Sequence, residues 1–146
     1  MCGILLFIVA TQTNGDRVGI TLKYLSPNSV RKAKVVEKPW GREIWIADEP
    51  EYGGKIIEIK KGYSTSVHYH QKKKETIYVD KGKLKVRSGN EEFIVSEGEA
   101  ITIEPYTVHQ LIALEDVRLI EVSTQPLNER VRVEDPYKDL RNPEDK

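Results

Sequence analysis

At 146 residues the chain has the length of one domain and enough of it to bury a core. Its 23 Lys and Arg balance 23 Asp and Glu, which removes the net field that would draw in nucleic acid or an anionic membrane. Cys2 is the single cysteine, so no intrachain disulfide can form, and a reducing cytoplasm is the expected setting.

The first apolar run, "GILLFIVA", is too short to span a bilayer, and no basic residue precedes Arg17 as a secretory signal would require. It reads as a buried strand that forms a hairpin with "RVGITLKYL" across the "TNGD" turn. Residues 1–33 are therefore expected to be a strand extension of the same domain. The opening "MCGI" resembles class II glutamine amidotransferases, whose processed N-terminal cysteine is the nucleophile. Those catalytic domains are much longer, and the plainer reading is a strand with an inert thiol.

After the "SPNS" loop, short alternating or β-branched runs follow one another: "REIWIA", "GKIIEIK", "STSVHYH", "ETIYVD", "GKLKVRS", "EEFIVSE", "EAITIE", "HQLIAL" and "VRLIEVS". Glycine punctuates them, and helical periodicity is absent. Many short strands at near-regular spacing predict an all-β antiparallel sandwich or barrel, here over residues 34–126. The charged, proline-bearing tail, residues 127–146, is expected to pack along the outside and then fray.

The three histidines of the chain carry the chemistry. Side chains alternate along a strand, so His68 and His70 share a face. Glu75 joins them only if "QKKK" turns and Glu75 opens the next strand. The lysines of that run read as a solvated turn. His109 lies beyond a proline-containing turn, in "EPYTVHQL". Three imidazoles and a carboxylate suit zinc, manganese, iron or nickel, and the competing reading is a polar strand face with no metal.

Gly62, five residues, His68-Tyr69-His70, four residues, Glu75, six residues, Gly82: this spacing resembles the first motif of the cupin superfamily at every defined position. The second motif is looser. Gly98 precedes His109 by the expected interval, but Glu104 and Tyr106 stand where proline and glycine are usual, and Ala113 replaces an asparagine. The resemblance covers about residues 38–125. It implies a cupin double-stranded β-helix, a jelly-roll barrel, with His68, His70, Glu75 and His109 as metal ligands and zinc as the metal.

Flanking stretches resemble the cupin domain of type II mannose-6-phosphate isomerases: Pro39, Trp40 and Gly41 before the barrel, and Arg132, Glu134, Asp135 and Tyr137 after it. That resemblance implies aldose–ketose interconversion of a sugar or sugar phosphate through an enediolate. The metal would act as a Lewis acid, and a base would carry the proton. Glu75 is a ligand or that base, with Glu58 and Glu121 as further candidates. Lys55 and Arg132 are candidates to neutralise the phosphate, against a structural role for each. Two features depart from the family: Gln110 stands where an arginine follows the last histidine, and "QKKK" is a longer turn. The alternatives are a dioxygenase, a sugar or nucleotide-sugar epimerase, or a non-catalytic sugar-binding cupin. A homodimer is expected, with "GILLFIVA" able to supply its contact strand.

Overall fold

The structure, a computed structural model, describes residues 22–140. The chain divides into two compact units, residues 1–32 and 33–146. The expected strand "GILLFIVA", the "TNGD" turn and Cys2 lie outside the described residues. Of "RVGITLKYL" only residues 22–25 are described. They form no strand, and Leu22, Tyr24 and Leu25 are exposed. A 3-10 turn follows over Pro27–Ser29, where Ser26 donates its backbone N–H to Ser29 Oγ at 3.2 Å.

Among its described residues the second unit is built of β-strands, with a short 3-10 turn at Lys138–Leu140. In chain order its strands are β1 (Lys34–Lys38), β2 (Gly41–Asp48), β3 (Gly53–Ile59), β4 (Val67–Tyr69), β5 (Glu75–Lys81), β6 (Lys83–Ser88), β7 (Glu91–Ser96), β8 (Ala100–Ile103), β9 (Gln110–Ala113), β10 (Val117–Ser123) and β11 (Val131–Glu134). Every strand expected between Arg42 and Ser123 is present, though "STSVHYH" yields strand only at its centre. Strands β1 and β11 were not foreseen. β1 forms a hairpin with β2 across Pro39-Trp40, whereas β11 leans on β4, a partner more than sixty residues back.

One sheet runs β1-β2-β3-β10-β5-β8, another β7-β6-β9, and β11 pairs with β4. Every pairing is antiparallel. Isolated bridges Ser64↔Ile112 and His68↔His109 tie the β4 segment to β9, extending the smaller sheet toward β11. The inner faces meet in a core that includes Ile57, Ile59, Val79, Leu84, Leu111 and Leu119. Strand alternation puts Ile57 and Ile59 inside and Glu58 outside, where Arg42 and Arg118 hold it. On that same outer face Val35, Ile44, Ile56, Ile120 and Tyr78 stand in one register row.

Two turns have special backbone geometry. At Gly82 the backbone has φ 86°, and a Cβ there would lie 2.4 Å from the Asp116 carbonyl oxygen, so glycine is required. Tyr106, in the place usual for glycine, takes φ 62°, a conformation that costs a non-glycine residue about 1–2 kcal/mol. Its N–H donates to the carbonyl of His70 at 2.6 Å, and its ring stacks on Tyr69 at 6.1 Å. In the tail, Leu127 is buried, β11 lies on β4, and the hydroxyl of Tyr137 accepts the N–H of Ser64 at 3.3 Å. Among the described residues no helix is long and apolar enough to cross a membrane.

Candidate metal centre

His68 on β4, His70 just beyond it and His109 just before β9 converge inside the barrel, all three buried. Their ligand nitrogens lie within 4.8 Å of one another. The backbone enforces this closeness, because His68 and His109 exchange N–H to carbonyl bonds of 3.0 and 2.9 Å.

Each imidazole is fixed through Nδ1 to a backbone carbonyl. His68 bonds the Ser66 oxygen at 2.9 Å, His109 the Thr107 oxygen at 2.8 Å, and His70 the Glu129 oxygen. A carbonyl only accepts, so Nδ1 carries the proton and Nε2 turns a lone pair inward. This is the arrangement that orients metal-binding histidines. Burial first, then the neighbouring imidazole of His109, push the His68 pKa well below its usual value, which keeps that ring neutral and ready to donate.

Glu75 opens β5, so "QKKK" is the turn the sequence required. Its Oε1 lies 3.1 Å from His109 Nε2 and 3.4 Å from His70 Nε2. Yet among the described residues neither Nε2 has a hydrogen-bond partner of proper alignment. Acceptor faces acceptor unless a cation lies between them. Burial opposes charge on Glu75, but its carboxyl is held well below the usual range, with the Lys73 ammonium on its other oxygen. A divalent ion fits the three imidazoles, whose ligand nitrogens lie within 4.8 Å of one another, and Glu75 Oε1 stands beside two of them.

The lysine run departs from expectation. Lys72 and Lys74 are exposed, but Lys73 is only 2% exposed. Its Nζ lies 2.5 Å from Glu75 Oε2 and 2.9 Å from Glu121 Oε1. Burial would lower its pKa, but Glu121 and Glu75 overcome that and raise it. Glu129 was also unforeseen. Its carboxylate accepts the N–H groups of Gln71, Lys72 and Lys73 at 2.8, 3.2 and 3.5 Å, capping the turn while its carbonyl holds His70. No local signal marks either residue, since Glu121, which completes the Lys73 pairing, is 48 residues away and the groups that Glu129 binds are 56 to 59 residues away.

The remaining candidates separate cleanly. Lys55 on β3 lines the cavity beside the imidazoles, buried, 3.5 Å from Glu43 and with Nζ 5.1 Å from the Trp45 ring centroid. Burial opposes charge on Glu43, but Lys55, Arg130, Lys38 and the indole N–H of Trp45 bring its carboxyl down to about 2. Glu121 and Trp40 line the same cavity. Arg132 does not: it pairs with Asp135 at 3.6 Å, and the arginine that lines the cavity is Arg130. Glu58 belongs to the outer ion cluster and not to the cavity. Gln110, in the place of the family's arginine, donates to Ser64 Oγ and the Thr65 carbonyl at 3.1 and 3.0 Å, a bracing role. The free volume beside the imidazoles is about 30 Å³, while a hollow of about 680 Å³ elsewhere, flanked by Arg42, Lys60 and Arg118, shares no lining residue with it.

Comparison with known proteins agrees with this geometry: residues 55–123 match the model of the cupin domain. Residues 55–123 carry the cupin-domain pattern. In sequence the chain is similar to the mannose-1-phosphate guanylyltransferase RfbM of Salmonella typhimurium, 29% identical over 105 residues. That match takes in 70% of this chain and 22% of the relative, so the chain spans under a quarter of that protein. Among solved structures, the capsular polysaccharide assembling protein CapF of Staphylococcus aureus superposes with a TM-score of 0.60 at 19% identity, over 74% of this chain and 35% of CapF. A variant of the Bacillus subtilis oxalate decarboxylase gives 0.61 at 19%, over 69% and 30%. At such identities these structures show the shared fold.

Proposed function

We propose that this cupin is a metal-dependent isomerase of a sugar or sugar phosphate, of the mannose-6-phosphate isomerase type. The observation that carries the proposal is the set of three Nδ1-anchored imidazoles whose Nε2 atoms meet beside Glu75. The substrate class draws on the flanking motifs and on the similarity to a mannose-phosphate enzyme.

His68, His70, His109 and Glu75 would hold one divalent ion, zinc in this reading, with manganese, iron or nickel also suited to such donors. Bound there, the ion supplies Lewis acidity to a carbonyl and its neighbouring hydroxyl. The chain supplies the rest. Glu75 is the ligand, and Glu121, buried in the cavity wall, is the base that moves a proton between adjacent carbons. Lys55 and Arg130 provide the positive charge for an anionic substituent, the role the flanking motif suggested for Arg132. A sugar is larger than 30 Å³, so its binding requires the cavity-lining side chains to move. We place the protein in the cytoplasm as a homodimer, the apolar row from Val35 to Tyr78 being available for self-association.

The small free volume favours a second reading, a metal cupin acting on a small substrate such as dioxygen. Metal analysis of the untagged protein with a coupled assay for mannose 6-phosphate conversion separates the two. Zinc or manganese with turnover supports isomerisation. Bound iron with no turnover after zinc, manganese or cobalt is restored would sink it. A His68→Ala variant that retained full metal content would refute the ligand set.

A further inference from the structure

We propose that Lys73 is a stand-in cation built into the metal site: it occupies one oxygen of Glu75, leaves the other for the ion, and sets how tightly the ion is held. This inference rests on the metal-site reading above. Glu75 is divided between two partners. Its Oε1 faces the Nε2 atoms of His109 and His70, and its Oε2 is 2.5 Å from Lys73 Nζ. The same ammonium lies 2.9 Å from Glu121 Oε1, and all three side chains are 3% exposed. One cation therefore serves two buried carboxylates.

Two consequences follow from this charge count. Without metal, Lys73 is what makes a pair of buried carboxylates tolerable, so the protein can fold around an empty site. With metal, the ammonium repels the ion and draws electron density from its carboxylate ligand, so it weakens binding. Lys73 is then a positioning residue that keeps Glu75 to one donor oxygen. The charge run that looks like a solvated turn carries a functional lysine at its centre.

The test uses protein stripped by a chelator and reloaded with Co²⁺. Affinity is read by competition with a chromophoric chelator, and thermal unfolding is followed with and without the ion. Lys73→Met should bind Co²⁺ at least about tenfold more tightly than wild type. It should also show a larger rise in Tm on loading and a shifted visible Co²⁺ band as the second oxygen of Glu75 becomes available. Lys73→Arg should restore wild-type behaviour. Should Lys73→Met fail to fold without metal, the Lys73→Met, Glu121→Gln double variant removes the surplus negative charge and should keep the tighter binding. Unchanged or weaker affinity in the folded variants overturns the proposal. Wild-type protein that takes up no Co²⁺ overturns the metal reading instead.

Discussion

Glu129 grips His70 from both ends: its carbonyl holds the imidazole Nδ1, and its carboxylate caps the turn that leaves His70 for Glu75. The tail thus sets the distance between two of the proposed ligands. Glu129→Ala leaves the carbonyl in place but frees three backbone N–H groups. Co²⁺ affinity is expected to fall about tenfold, as for other outer partners of metal ligands. Chelator competition on Glu129→Ala and wild type measures this.

Two glutamates that sequence reasoning could not separate, Glu58 and Glu121, occupy opposite environments. Glu121 lies in the cavity wall, and Glu58 lies on the outer face between Arg42 and Arg118. Glu121→Gln should lower kcat for mannose 6-phosphate by at least about a hundredfold while metal content stays at the wild-type level. Glu58→Gln should leave kcat unchanged. Equal losses in both variants would remove Glu121 from the proton-transfer role.

The buried carboxylate of Glu43 predicts an acid limb of stability. Its pKa is held at about 2 in the fold against an ordinary 4.5, so the unfolded chain takes up the proton first. The stabilisation is fully present above about pH 4.5 and is lost as pH falls toward 2, a contribution of about 3 kcal/mol at neutral pH. Urea midpoints between pH 7 and pH 2 should fall through that window. Glu43→Gln should be less stable at pH 7 and should flatten the fall.

Core and surface positions three residues apart on one strand should differ sharply. Leu119 on β10 is fully buried, and Leu119→Ala is expected to cost about 2–5 kcal/mol. Val122 on the same strand is 56% exposed, and Val122→Ala should change stability by about 0.5 kcal/mol or less in the monomer. Denaturant midpoints of the two variants give the comparison. An unchanged midpoint in Leu119→Ala would contradict the core assignment.

Much of the site was legible because its rules are local. Alternation put His68 and His70 on one face, and the odd spacing to Glu75 demanded a turn at "QKKK", which is where β5 begins. The strands from β2 to β10 followed from alternation and glycine punctuation for the same reason. What could not be read depends on partners far away in the chain. Lys73 is buried because carboxylates on β5 and β10 reach it, and a run of three lysines gives no hint of which one turns inward. Arg130 lines the cavity while Arg132, two residues on, pairs with Asp135, a difference decided by how the tail crosses β4. Tyr106 occupies a glycine-like conformation because stacking on Tyr69 and a bond to His70 accompany the strained backbone.

The reciprocal backbone bonds between His68 and His109 bear on the size of the ion proposed for this site. Their rings, with centroids 4.5 Å apart, ride on neighbouring strands whose spacing is fixed by the hydrogen-bonded ladder at about 4.7–4.9 Å. A larger or smaller ion cannot be met by spreading or closing those strands. It must be met by rotation of the imidazoles or by movement of His70 and Glu75, which flank the one turn in the set. The rigid pair acts as a gauge, and the turn provides the adjustment.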